Sequence, residues 1–242
     1  MKLVLFDIDG TLLDSGKQPR RAFSEALVEV YGEAGAIDTY SFSGRTDPRI
    51  MLDLLLGAGR SRAEVLARLP EARDAYLDRL DALLERERMR LLPGLPALLD
   101  ALAARADIAL GLLTGNFERG ARIKLSRFGI EGYFPFGSYG DDQFDRDDLP
   151  PVALERAHAV TGRRFDPADA LIVGDSLLDI SCARAHGLKC LVVSTGWTSA
   201  EELAAAQPDW LVDDLTRVTG HEAFAEDERM LPPEDLPADR SP

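Results

Sequence analysis

The chain has 242 residues, 45% of them hydrophobic, which is enough for one sizeable core or for a core with a large insertion. Its formal net charge of -14 argues against nucleic acid or an anionic membrane as a partner, so an anionic small substrate would need local cations or a metal ion. Two cysteines, Cys182 and Cys190, form no Cys-x-x-Cys pair and suggest neither a disulfide framework nor a zinc site.

The first predicted element is a strand over 3–6, Leu3-Val4-Leu5-Phe6, a continuous apolar run of the kind buried on both faces of a parallel sheet. Asp7 cuts this run far too early for a secretory leader, and no later stretch reaches membrane-spanning length, so a soluble cytoplasmic protein is expected. The strand ends in Asp7-Ile8-Asp9-Gly10-Thr11. Alternation along a strand would put both carboxylates on one face at the mouth of the sheet, where open α/β folds bind ligands. Like charges about 4 Å apart repel by about 4 kcal/mol at an effective dielectric near 20, and a hard cation such as Mg²⁺ is the simplest compensation.

Ser15 is placed to cap a helix over 18–31, with Ala22, Phe23, Ala26, Leu27 and Val30 on its apolar face. Further helices are expected around Ile50 to Leu55 and Val65 to Leu69, and a fourth started by Pro70 and running to about residue 88. From Pro93-Gly94 onward the pattern alternates helix and strand. Helices are expected over 95–102, 117–128, 153–160, 178–185 and 201–206, with strands over 108–113, 170–173 and 190–193 and an edge strand over 210–212. The expected fold is α/β, a doubly wound parallel sheet with an all-helical insertion. Residues 1–15 and 93–220 form the core, residues 16–92 the insertion, and the acidic, proline-rich segment 221–242 a mobile tail.

Two more strand ends carry polar groups. Thr114-Gly115-Asn116 supplies a hydroxyl, a glycine and a capping residue, suited to holding phosphoryl oxygens with the free N–H groups of the next helix. Asp175, with Asp179 one helical turn later, offers a second pair of carboxylates for a hard cation. None of His158, His186 or His221 falls in such a motif, and no Gly-x-x-x-x-Gly-Lys phosphate loop occurs; Thr195-Gly196 reads as a turn.

Taken together, Asp7-Ile8-Asp9-Gly10-Thr11-Leu12-Leu13-Asp14-Ser15, Leu112-Leu113-Thr114-Gly115-Asn116 and Ile172-Val173-Gly174-Asp175-Ser176-Leu177-Leu178-Asp179 resemble the first, second and fourth motifs of the haloacid dehalogenase-like hydrolase superfamily, in its phosphoglycolate phosphatase-like branch. The resemblance implies a Rossmann-like core with a helical cap between the first two motifs. It implies Asp7 as nucleophile and Asp9 as general acid/base, with Gly10, Thr11, Thr114, Gly115 and Asn116 around the phosphate. Mg²⁺ would be held by Asp7, Asp9 through its carbonyl, and Asp175, with Asp179 binding it through water or orienting the ligands.

The implied reaction is hydrolysis of a small phosphomonoester. The alternatives are a β-phosphoglucomutase-like phosphotransfer, or a phospho-accepting or binding module without turnover. A seventy-residue insertion favours an enclosed enzyme site over such a module, and the absence of lysine between Gln18 and Ile123 argues against a Schiff-base relative. The third-motif lysine is missing before Pro151. Arg146 is the candidate replacement, with Lys124 as the rival. In the insertion, Arg45 or Arg49 is the candidate for meeting the anionic end of a substrate.

Overall fold

The computed structural model describes residues 1–216, 218 and 220–225. Eight strands and eight α-helices make up its regular structure, alternating only from β3 (Arg90–Leu91) onward. Six strands form one parallel sheet in the order β5-β4-β1-β6-β7-β8: β1 Lys2–Phe6, β4 Ile108–Leu113, β5 Gly137–Ser138, β6 Ala170–Gly174, β7 Lys189–Val193 and β8 Trp210–Val212. β1 lies between β4 and β6, with Val4 opposite Leu110 on one side and Leu171 on the other. Its apolar run is completely buried because both faces are covered. Val4 and Phe6 join a core shared with the helical insertion, whereas Leu3 and Leu5 pack into a second cluster under the opposite helices.

The chain reverses its direction of strand addition at β1, so the loops after β1, β4 and β6 open onto one crevice at the carboxyl edge of the sheet. Helices α4 Ala97–Ala103, α5 Glu118–Ser126, α6 Leu149–Thr161, α7 Leu177–Ala185 and α8 Ala200–Ala205 connect the core strands. No helix among the described residues is long and apolar enough to cross a membrane.

Between β1 and β4 the chain makes a two-stranded antiparallel ribbon, β2 Leu13–Asp14 with β3 Arg90–Leu91, too short to show in the sequence pattern. From this ribbon rise α1 Gln18–Tyr31, α2 Asp47–Gly57 and α3 Arg62–Leu83. The sequence suggested two helices around Pro70; the structure has one, with Pro70 in its interior. A capping box between Ser61 and Glu64 fixes its start, and burial of Val65, Ala72, Tyr76, Leu77 and Leu80 along one face outweighs the hydrogen bond that proline removes. α3 ends at Leu83 rather than near residue 88, where a 3-10 turn, Arg86–Arg88, follows. α1 and α3 pack through Phe23 and Tyr76, whose ring centroids are 4.1 Å apart.

The expected tail begins later than its composition suggests. Ala223 and Phe224 are buried, Lys2 donates to the Ala223 carbonyl at 2.7 Å, and Arg105 donates to that of Phe224 at 2.6 Å. The expectation of a mobile segment beyond residue 225 lies outside the described residues.

Candidate active site

Asp7 follows β1 directly and is buried. Its Oδ1 accepts from the Ile8 N–H at 2.7 Å, and its Oδ2 lies 3.1 Å from Arg146 Nη2. Burial pushes its carboxyl up to about 6; the Arg146 charge opposes the rise and the Asp179 carboxylate adds to it. Asp7, Asp175 and Asp179 bring carboxylate oxygens within 4.8 Å of one another. Burial, joined by the neighbouring Asp179 and Asp7, holds the Asp175 carboxyl far above the usual carboxylate range.

Asp9 does not join this cluster, contrary to the expectation that two positions along a strand would align it with Asp7. β1 ends at Phe6 and the chain then turns through Gly10 at φ +86°, so alternation no longer applies. The Asp9 carboxylate instead accepts from Lys124 Nζ at 2.6 Å, Asn116 Nδ2 at 2.9 Å and Ser15 Oγ at 3.2 Å. Ser15 therefore braces Asp9; Lys17, not Ser15, occupies the N-cap of α1. Asn116, expected to cap a helix, faces the site too, donating to Thr114 Oγ1 at 2.8 Å and accepting from Lys124 at 2.6 Å.

The two rival cations are both present, one on each aspartate. Arg146, in a 3-10 turn before α6, donates to Asp179 Oδ1 at 2.5 Å as well as facing Asp7, and its Nη1 donates to the Gly44 carbonyl at 3.1 Å. Lys124, on α5, is 3% exposed at the side chain and bound to Asp9. Asp179 has both oxygens engaged: Oδ1 by Arg146, and Oδ2 by Ser176 N at 3.0 Å and Ser176 Oγ at 2.6 Å in the capping box of α7. This arrangement makes it an orienter of Arg146 more readily than a direct metal ligand. Thr11 donates to Asp175 at 3.3 Å, and a Cβ on Gly10 would fall 2.4 Å from Asp175 Oδ2, so both support that acid rather than line the cavity.

Asp7, Asp9, Thr114, Asn116, Lys124 and Arg146 form the floor of a cavity of about 450 Å³, walled by the insertion through Phe23, Phe42, Ile50 and Tyr76 and reached at its rim by Trp197. Arg45 lines it, partly exposed, with Asp53 at 3.9 Å; Arg49 does not, being tied down by Asp53 at 3.0 Å and Asp145 at 2.8 Å. Sequence reasoning missed Asp47. This residue is buried at the first position of α2, its N–H donates to Gly115 O at 2.7 Å, and its Oδ2 accepts from Phe117 N at 2.8 Å. Burial pushes its carboxyl up to about 7, against the pull of Lys124 and of the Phe117 N–H. Thr195, taken for a simple turn residue, donates to Gly10 O at 2.6 Å behind the site.

A family model described as haloacid dehalogenase-like hydrolase matches residues 4–193. The chain belongs to the haloacid dehalogenase-like hydrolases. Among curated members, a phosphoglycolate phosphatase of Yersinia pestis is 31% identical, covering 85% of this chain and 86% of its own. One of Pseudomonas putida is 26% identical over 88% of this chain and 77% of its own. A solved structure described as a predicted phosphatase from Clostridium acetobutylicum shares the fold at a TM-score of 0.69 and 21% identity, covering 90% of this chain and 96% of that one. In this hydrolase, then, three carboxylates converge at the sheet edge, a separate aspartate is held by a lysine, and a walled cavity lies above them.

Proposed function

We propose that this hydrolase is a Mg²⁺-dependent phosphatase that cleaves a small phosphomonoester through an aspartyl-phosphate on Asp7. The observation that carries the reading is the separation of its two leading aspartates: Asp7 beside Asp175 and a guanidinium, Asp9 across the floor beside an ammonium. The curated relatives support it by their phosphatase names.

The donor set fits a hard divalent cation, being carboxylate oxygens of Asp7 and Asp175 gathered in a buried crevice. Such an ion would supply charge neutralisation for the nucleophile and the transferring phosphoryl group. The chain's own residues do the rest. Asp7 attacks phosphorus in line while Asp9 gives a proton to the departing alcohol, forming the Asp7–phosphorus bond and breaking the ester bond. Asp9 then takes a proton from water, whose oxygen displaces Asp7 and frees inorganic phosphate. Arg146 orients Asp7 and meets phosphoryl charge, and Thr114 and the N–H groups after it receive the phosphoryl oxygens. We read residues 16–92 as a cap whose loop 43–47 closes the cavity against the core, since Gly44 touches Arg146 and Asp47 touches Gly115.

The test is phosphate release with and without Mg²⁺ from small phosphate esters, with p-nitrophenyl phosphate among them. Metal-dependent release that falls roughly 10³-fold or more in Asp7→Asn, with the fold intact by circular dichroism, is expected. Undiminished turnover in that variant removes Asp7 as nucleophile. Transfer to an added sugar in preference to water turns the reading to a phosphotransferase.

A further inference from the structure

Helix α7 does more than present Asp179 to the site. Asp179, Cys182 and His186 are spaced three and four residues apart, so they form one stripe along the helix and its C-cap. All three meet the 3-10 turn that carries Arg146. Asp179 takes the guanidinium, Cys182 Sγ donates to the Arg146 carbonyl at 3.3 Å, and His186 Nε2 donates to the Asp147 carbonyl at 2.6 Å. A carbonyl only accepts, so His186 carries a hydrogen on Nε2. Burial pushes the Cys182 thiol far above its ordinary value, which keeps it an S–H donor.

The turn is held from two sides. On one, Thr46 donates to the Phe144 carbonyl and Arg49 pairs with Asp145 at 2.8 Å, so residues 144 and 145 are tied to the insertion. Residues 146 and 147 are tied instead to α7, which starts directly after Asp175 and Ser176. The base of the Arg146 side chain is thereby fixed to the stretch of chain that carries two of the clustered acids. Of its guanidinium contacts, the one to the Gly44 carbonyl goes to the insertion.

Such a grip matters more for arginine than it would for lysine. A lysine ammonium swivels its three donors on a flexible stem, whereas a guanidinium is a planar fork whose donors point in fixed directions. Arg146 Nη2 serves Asp7 at 3.1 Å and Asp179 at 2.5 Å at once, so a shift of the turn's backbone pulls it off one or the other. Its Nε has no hydrogen-bond partner among the described residues, so hydrogen bonding holds the residue only at its tip and at its backbone. Displacing a positioned group by about 1 Å can cost about 10²-fold in rate.

We propose that Cys182 and His186 are positioning residues for the reaction: by gripping two successive carbonyls, they set the guanidinium of Arg146 against Asp7. The inference rests on the phosphatase reading above. It gives a task to a histidine and a cysteine that stand in none of the sequence motifs.

The experiment measures kcat and KM for p-nitrophenyl phosphate with Mg²⁺, well below the Tm of each variant. His186 is half-buried at the helix end, so its variants leave the core intact and decide the matter. His186→Ala is expected to lower kcat and kcat/KM together by about three- to tenfold. His186→Gln, whose amide N–H can replace the ring N–H, is expected to stay within about twofold of the wild type. In an Arg146→Lys background, where the fork is absent, His186→Ala should cost no more than about a further twofold. Cys182→Ala and Cys182→Ser repeat the comparison at the buried grip, serine keeping a donor, and equal kcat in these two removes Cys182 from the inference. Unchanged kcat in His186→Ala overturns it, even where Tm falls, and leaves the phosphatase reading in place. So does the same fold-loss in both backgrounds, which marks a general structural role. Failure of the wild type to release phosphate from any ester overturns both.

Discussion

The ammonium of Lys124 lies 2.6 Å from Oδ2 of Asp9, with the lysine side chain 3% exposed and the two residues 115 positions apart in the chain. A buried cation on that carboxylate fixes its orientation and counters its charge. Lys124→Met leaves Asp9 only the Asn116 and Ser15 donors. Turnover of alkyl phosphates is expected to drop roughly 10–100-fold, less than the roughly 10²–10⁴-fold that a whole acid–base group contributes, because Asp9 itself remains. Release from p-nitrophenyl phosphate, whose leaving group needs no proton, should fall much less; equal losses on both substrates would refute a role of the pair in leaving-group protonation.

Arg146 is buried and bridges Asp7, Asp179 and the Gly44 carbonyl. Arg146→Ala strands two acidic groups without their cation and is expected to cost about 3–5 kcal/mol in urea unfolding. Arg146→Lys keeps a charge but gives up the planar fork, so it should fold while losing roughly tenfold or more in kcat. Unaltered kcat in Arg146→Lys would show that the fork geometry is dispensable.

Asp47 gives the protein a calculable response to pH. Burial lifts its carboxyl to about 7 in the fold, with Asp9 and Asp141 adding to the rise and Lys124 and the Phe117 N–H opposing it. Unfolded aspartate titrates near about 3.9, so between these values the folded chain holds a proton that the unfolded chain has released. This contribution to stability is therefore present below about pH 4, declines as pH rises to about 7, and is gone above it. Asp7 and Asp175 are shifted in the same direction, so comparison with Asp47→Asn isolates one group. Relative to the wild type, that variant should gain stability from pH 4 to pH 8, by at most roughly 4 kcal/mol. Urea midpoints at the two pH values measure this, and a constant difference would refute it.

Pro70 interrupts the hydrogen-bond ladder of α3 and is exposed there. Pro70→Ala restores an N–H donor to a helix already fixed at both ends, and should raise stability by about 1–3 kcal/mol without altering kcat. Thermal melts beside a phosphatase assay check both halves of that statement.

Long apolar strands and motif residues were legible because each is a local pattern. The runs at β1, β4, β6 and β7 announce themselves as buried strands, and Asp7, Thr114 and Asp175 stand at strand ends where the sheet opens. The two-residue strands β2, β3 and β5 carry no period to detect. α3 defeated a local rule at Pro70 because its apolar face is set by packing against α1, through pairs such as Tyr76 and Phe23. The sequence could nominate Lys124 or Arg146 as the site's cation, but not both, since each reaches its aspartate only through the folded sheet. Asp47 gave no signal beyond an acid in a helix's first turn, an ordinary solvated position until the core covers it.

The short ribbon at the root of the insertion, where Leu13 faces Leu91 and the Leu92 N–H bonds to Leu12 O, brings the segment's two ends together beside the sheet. To the strands below, everything between those ends is a single closed loop, and the entropy of closing a loop grows only as the logarithm of its length. Helices there can be lengthened, shortened or exchanged while β1 keeps its register with β4 and β6. The walls of the cavity and its acidic floor are thus built largely on separately replaceable stretches of chain, joined by four residues of ribbon.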